Sequence, residues 1–223
     1  IRYHPGNFLG VNHCSGNDPN LVEVKPGPLY PGDTTREGET WLVQGDLTRF
    51  VVVNHPGLGD DMIVQPGSTW QVGPGVELLF DFNEGALVQG HLEVQGTSDQ
   101  PVIFGSAQRY TAPLRGDWLG LSFATGSSGT LSHTTVEFAE TGLSLNGGDV
   151  SLSNSIITAS ELDGINVGAG STLDLEGSTI AGNARYGIYN PYAIPIDARG
   201  TWWGHASGPE DLGDSVIGGQ VDY

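Results

Sequence analysis

The chain has few basic residues and almost no cysteine. Its 223 residues include eight Lys and Arg against 26 Asp and Glu, which gives a formal net charge of −18. Nucleic acids and anionic membrane surfaces bind clusters of Lys and Arg, so this balance argues against both as partners. The single cysteine, Cys14, cannot form a disulfide within the chain.

Long apolar runs and helical periodicity are absent as well. No stretch approaches the ~18 consecutive apolar residues that a membrane-spanning helix needs, so no membrane span is expected. Short apolar runs recur instead about every 20 to 24 residues, a period typical of repeat architectures. Gly142, Gly164 and Gly187 each precede such a run, and two further columns of runs repeat with the same spacing. The pattern predicts three short strands in each repeat.

Within these strands, apolar and polar residues alternate. Leu173 and Leu175 lie on one face of a strand while Asp174 lies on the other, because successive side chains point to opposite faces. An antiparallel sandwich would not repeat the same columns and turn residues every 22 residues or so, whereas stacked coils require this. The sequence predicts an all-β, right-handed parallel β-helix, or solenoid, of about six to seven coils with little helix. Leu143, Ile165 and Ile188 are expected to share one interior column.

The chain divides into two predicted parts. Residues 1–40 are rich in Pro and Gly, and proline lacks the N–H that a sheet needs. This segment is expected to be irregular, either as a cap on the first coil or as an arm that reaches a neighbouring copy. Residues 41–223 are expected to form the β-helix and its Trp-rich closing segment.

Several runs resemble a known family. Residues 63–80 and 90–104 look like the opening coils of secreted right-handed β-helix repeat proteins of bacteria and archaea. The segment 201–209, which reads TWWGHASGP, and residues 219–223 resemble the usual closing segment of that family. The resemblance implies the fold and a secreted or cell-surface location. It does not imply one activity, because the family includes polysaccharide lyases, hydrolases and surface proteins without known chemistry.

An enzyme of this family would need a convergent set of ionisable groups. A lyase uses a strong base beside a cation, and a hydrolase uses paired carboxylates. Arg115, Asp117 and Glu137 are the catalytic candidates on this hypothesis. Further acidic residues that could share their side of the β-helix are Glu140, Glu161 and Asp163. Outward carboxylates also keep a β-helix soluble, and no family signature of paired aspartates is evident, so the sequence favours a protein that is not an enzyme.

Two other features suggest binding. Asp60 and Asp61, and one repeat later Asp81 and Glu84, supply the oxygen ligands that Ca²⁺ prefers, although neither pair matches a known calcium loop. We name Ca²⁺ as a candidate ligand and predict no other cofactor. Trp202 and Trp203 form either a platform for a sugar ring or a plug at the end of the β-helix.

These observations predict a non-catalytic extracellular structural or adhesive module. Its expected partners are copies of itself, which would assemble into a surface layer or filament, or a cell-surface polysaccharide. The alternative is a β-helix that binds or cleaves carbohydrate. Carboxylates or Arg clustered beside exposed aromatic rings would favour that alternative.

Overall fold

The computed structural model describes residues 21–24, 27–29, 39–41, 48–52, 61–192, 194–209, 215–217 and 221–222. Within these ranges the regular structure consists of β-strands and contains no helix, so no helix here could span a membrane. The strands fall into three long sheets, which we name A, B and C, and one short pair.

From β1 to β20, each sheet takes every third strand of the chain. Sheet A holds β1 (Leu21–Val24), β4 (Arg49–Val52), β7 (Glu77–Phe80), β10 (Val102–Ser106), β13 (Thr134–Glu137), β16 (Ile156–Thr158) and β19 (Thr179–Ala181). Sheet B holds β2 (Gly27–Leu29), β5 (Asp61–Val64), β8 (Gly85–Val88), β11 (Gly120–Ala124), β14 (Leu143–Asn146), β17 (Ile165–Val167), β20 (Tyr186–Tyr189) and β22 (Ser215–Ile217). Sheet C holds β3 (Glu39–Trp41), β6 (Thr69–Val72), β9 (His91–Gln95), β12 (Ser128–Ser132), β15 (Asp149–Ser153) and β18 (Thr172–Glu176), and β21 (Ile196–Asp197) pairs with β23 (Val221–Asp222).

All of these strand pairs are parallel, and the chain visits sheets A, B and C in turn. One circuit through the three sheets is one coil. The described strands make six complete coils, followed by β19 and β20 of a seventh and by β22 at the end of sheet B. The parallel β-helix predicted from the repeat is therefore confirmed. Since adjacent strands of a sheet lie about 4.8 Å apart, the coils stack at that spacing.

Interior side chains stack in columns, as the alternating pattern predicts. Leu143 in β14 aligns with Ile165 in β17, which aligns with Ile188 in β20, and all three are fully buried. Aromatic side chains are also fully buried in the core, where the rings of Phe80 and Trp118 stack with their centroids 4.6 Å apart. The continuous column gives each coil an apolar neighbour that it could not supply by itself.

A ladder of buried hydroxyls lines the corner between sheets C and A. The Thr134 N–H donates to Ser155 Oγ at 3.0 Å, and the Ser155 N–H donates to Ser178 Oγ at 3.2 Å. The residues before the first two positions, His133 and Asn154, have φ values of 47° and 50°. This left-handed backbone turns the chain sharply, and the hydroxyls satisfy the N–H groups that the turn leaves without a strand partner.

The β-helix starts earlier than the predicted boundary at residue 41. Strands β1 and β2 lie within the segment 1–40, where an irregular arm or cap was expected, and they pair with β4 and β5. Val22 and Val24 alternate with Glu23, so the period-2 pattern is present among the prolines that obscure it. Residues 1–20, with Cys14, lie outside the described residues.

Candidate functional site

The catalytic candidates lie around the long connection 107–119 between β10 and β11, and we call residues 107–117 of it the flank loop. Tyr110 of this loop donates from its hydroxyl to the Glu77 carboxylate of sheet A at 2.8 Å. The Arg49 guanidinium lies 4.0 Å from the centre of the Tyr110 ring and also donates to Glu77, at 2.8 Å. Strands β4 and β7 of sheet A therefore each contribute a side chain that holds the loop on the outer face of the sheet.

The predicted catalytic residues take part in the same anchoring. Asp117 accepts a hydrogen bond from Ser106 Oγ at 2.6 Å and a second one, on the same oxygen, from the Leu114 N–H at 2.8 Å. Glu137 on β13 is ion-paired with Arg109. These carboxylates close the loop on itself and fix it to the sheet.

Arg115 has a different partner from those of Asp117 and Glu137. Its Nη1 donates to the carbonyl oxygen of Ser160, at 3.1 Å, in the corner between β16 and β17. Of the further acidic candidates, Glu140 and Glu161 are exposed at the same corner of successive coils. The structure thus brings the candidates to one flank of the β-helix and gives Arg115, Asp117 and Glu137 separate partners.

Asp163, the remaining acidic candidate, is fully buried and is held by Arg185 one coil later. Arg185 Nε donates to its carboxylate at 2.8 Å, and Nη2 is paired with the second oxygen. The guanidinium also lies 5.5 Å and 5.4 Å from the ring centres of Tyr186 and Tyr189, which stack on each other. The pairing of Asp163 with Arg185 and the two tyrosines was not predicted from the sequence. The 22-residue spacing of Asp163 and Arg185, which equals one coil, was the signal that could have found it.

The calcium candidates do not gather into a described site. Asp60 and the side chain of Asp61 lie outside the described residues. Asp81 accepts a hydrogen bond from the adjacent Phe82 N–H at 2.9 Å, and Glu84 is fully buried. Among the residues that the structure describes, no group of three or more His, Cys, Asp or Glu side chains is placed to hold a metal ion.

The two tryptophans of the closing segment face opposite sides of the β-helix wall. Trp203 is 4% exposed and belongs to the core, whereas Trp202 is 51% exposed. Trp202 pairs with Thr179 at the end of sheet A, where its N–H donates to the Ser178 carbonyl at 2.8 Å. Trp203 is thus part of the core, whereas Trp202 leaves an indole available at the surface.

A recess of about 710 Å³ lies at the corner between sheets B and C. The turn before β9 has two residues, 89–90, whereas the turns of the preceding and following coils have four and three, 65–68 and 125–127. The short turn lies close against turn 65–68 of the preceding coil. Gly90 permits this close approach, because a Cβ there would lie 2.3 Å from two backbone oxygens of turn 65–68. We call this recess the notch; it is lined by Pro66, Gly67, Ser68, Thr69, Gln89, Gly90, His91, Ala124, Thr125, Gly126 and Ser128.

Beyond the notch, the outer face of sheet C is polar. Gln71 and Gln95 both donate to Glu93, at 2.7 Å and 2.6 Å. These hydrogen bonds, with that of Gln71 first, hold the pKa of Glu93 below its ordinary value. The face therefore carries a fixed carboxylate at neutral pH, surrounded by amides and hydroxyls.

Comparison with protein-family models, with curated proteins and with solved structures finds no significant match.

Proposed function

We propose that this chain is a non-catalytic extracellular β-helix module with a structural or adhesive role. The observation that carries the proposal is that the candidate carboxylates bind other groups of the same chain. Asp117 and Glu137 anchor the flank loop, and Asp163 is buried against Arg185. A general acid or base has to reach a proton of the substrate, and these carboxylates already hold donors of the chain itself.

The stacked architecture supports a structural role. The column of Leu143, Ile165 and Ile188 continues from coil to coil, and the buried hydroxyl ladder adds directional hydrogen bonds to the apolar packing. Such a rod presents its outer faces at fixed spacing, which suits a spacer or a surface for attachment. The extracellular location comes from the family resemblance of the opening and closing segments, and the partners we propose are copies of the chain or a cell-surface polysaccharide.

A cleavage assay tests the non-catalytic part of the proposal. The chain is incubated with plant, algal and bacterial polysaccharides, and new reducing ends and unsaturated uronates are measured. We expect neither product from the wild-type chain. Reproducible cleavage that disappears in Asp117→Asn or Glu137→Gln would overturn the proposal and identify the site.

A second candidate function, carbohydrate binding, is favoured by Trp202. A tryptophan that is 51% exposed is unusual, because this residue is strongly buried on average. Its bridge partner in the sheet is Thr179, whose hydroxyl is a group that can bind a sugar. Binding of labelled protein to immobilised polysaccharide, compared between wild type and Trp202→Ala, tests this function. Equal retention of both proteins would argue against Trp202 as a platform.

A further inference from the structure

The notch differs in charge from the rest of the molecule. The chain carries 26 acidic and eight basic residues, yet the lining of the notch contains no Asp, Glu, Lys or Arg. An anionic ligand would lose its hydration there without gaining a cationic partner, and the net charge of −18 would repel it. A metal cation would find no carboxylate. The ligand that fits this lining is uncharged.

The notch also has hydrogen-bonding groups that the fold does not use. In the part of the chain that the structure describes, the side chains of Ser68, Thr69 and Gln89 make no hydrogen bond. His91 Nδ1 lies 2.8 Å from Ser128 Oγ, and this contact fixes the imidazole while leaving Nε2 for a ligand. Two hydroxyls, an amide and an imidazole nitrogen therefore surround one recess.

The remaining lining argues against apolar and flat aromatic ligands. Only Pro66 and Ala124 contribute apolar side chains, and the lining contains no Phe, Tyr or Trp on which a flat aromatic ligand could stack. A ligand with several hydroxyls can both donate to and accept from Ser, Thr, Gln and His. The volume of about 710 Å³ lies within the range of small-molecule sites, roughly 300 to 1,000 Å³.

We propose that the notch binds a neutral sugar unit, either free or within an uncharged polysaccharide. This inference rests on the adhesive function proposed above and gives it a chemical class of ligand. Pro66 and Ala124 contact a C–H face of the sugar, while Ser68, Thr69, Gln89 and His91 bind its hydroxyls.

NMR titration of the full ¹⁵N-labelled chain tests the proposal. The probes are disaccharides of glucose, galactose or mannose, each added up to millimolar concentration, with a glucuronate-containing disaccharide as the charged comparison. We expect at least one neutral probe to shift the amide signals of Gly67, Gly90 and Gly126. The charged disaccharide should bind more weakly than its neutral counterpart.

Two substitutions remove ligand contacts without removing a hydrogen bond of the fold. Gln89→Ala and Ser68→Ala should each weaken binding about tenfold, because each removes hydrogen bonds to the sugar. Thr130→Ala, an exposed threonine of sheet C outside the lining, is the matched control and should leave the affinity unchanged. The spectrum of each variant without sugar shows whether the fold is intact.

The outcomes separate this inference from the non-catalytic function. Three results would each overturn the sugar site. They are unchanged amide signals of the notch with every neutral probe, an affinity that Gln89→Ala does not change, and equal binding of the charged and neutral disaccharides. Polysaccharide cleavage together with sugar binding at the notch would overturn the non-catalytic function and support the site. Unchanged amide signals of the notch in a chain that cleaves no polysaccharide would overturn the sugar site and leave the non-catalytic function standing.

Discussion

Arg185 donates from Nε to the buried Asp163 carboxylate at 2.8 Å, across one coil of the β-helix. The Asp163 side chain has no solvent exposure, whereas that of Arg185 is 45% exposed. Removal of the guanidinium leaves a buried carboxylate without its cation, which is far costlier than loss of a surface pair. The pair therefore stabilises the corner between sheets A and B near the C-terminal end.

Arg185→Ala should lower the free energy of unfolding by about 2 to 3 kcal/mol, below the usual cost of breaking a fully buried pair because solvent reaches Arg185. Arg199→Ala is the matched control, since Arg199 and its partner Asp197 are both exposed, and it should leave stability nearly unchanged. Urea unfolding measures both variants. Equal midpoints for the two would contradict the role of Asp163 burial.

The interior column predicts a contrast between two other substitutions. Ile165→Asp places an unpaired charge between Leu143 and Ile188 and should cost several kcal/mol, enough to prevent folding. Asp174→Asn lies on the exposed face of β18 and should change stability by less than ~0.5 kcal/mol. Soluble yield and thermal unfolding report the difference. Similar behaviour of the two variants would show that the assignment of inside and outside positions is wrong.

The parts of the fold that could be predicted are those that repeat. Leu143, Ile165 and Ile188 could be aligned because a strand alternates with period 2 and each coil must continue the column of the previous one. The strands β1 and β2 were missed because prolines near them suggested irregular chain, although Pro28 lies within β2 itself. Proline has no N–H to donate to a neighbouring strand, but a short strand needs only some of its N–H groups to pair.

The sites depend on features that do not repeat, and the sequence alone could not place them. Tyr110 and Glu77 are 33 residues apart, which is no multiple of a coil, because Tyr110 lies in the flank loop and not in a strand of the repeat. The notch arises because turn 89–90 is shorter than its neighbours, a difference of one or two residues in where strands end. Strand ends are the least certain part of a sequence-based prediction.

The hydroxyl ladder gives a third prediction. Ser178→Ala removes the acceptor of the buried Ser155 N–H and should destabilise the fold by about 1 to 3 kcal/mol. Ser151→Ala, on the exposed face of β15, should change stability by less than ~0.5 kcal/mol. Thermal unfolding measures both. A Ser178→Ala variant as stable as Ser151→Ala would show that the ladder contributes no net stability.

A fourth prediction concerns pH. Hydrogen bonds from the side chain and backbone of Arg199 lower the pKa of Asp197 from 3.8 to about 2. Because the carboxyl has a lower pKa in the folded chain, the small contribution of this exposed pair to stability is present above pH ~4 and is lost as the pH falls towards 2. Arg199→Gln should return the pKa of Asp197 towards 3.8 in a carboxyl NMR titration. Arg115→Gln, whose partner is the Ser160 carbonyl, should leave it at about 2.

The flank loop gives the last prediction, with limited proteolysis as the measurement. Asp117 holds the loop closed by accepting from both Ser106 Oγ and the Leu114 N–H. Asp117→Ala removes both hydrogen bonds, so trypsin should cleave after Arg109 and Arg115 faster than in the wild-type chain, because cleavage follows local opening.

Asp99→Ala is the control, since Asp99 is exposed in a turn outside the loop, and it should leave the cleavage pattern unchanged. Mass spectrometry of the fragments identifies the sites. If Asp117 served a substrate instead of the loop, its removal would leave the rate of cleavage after Arg109 and Arg115 as in the wild type. Faster cleavage at these sites, with unchanged cleavage elsewhere, shows that the carboxylate anchors the loop to the flank of the β-helix.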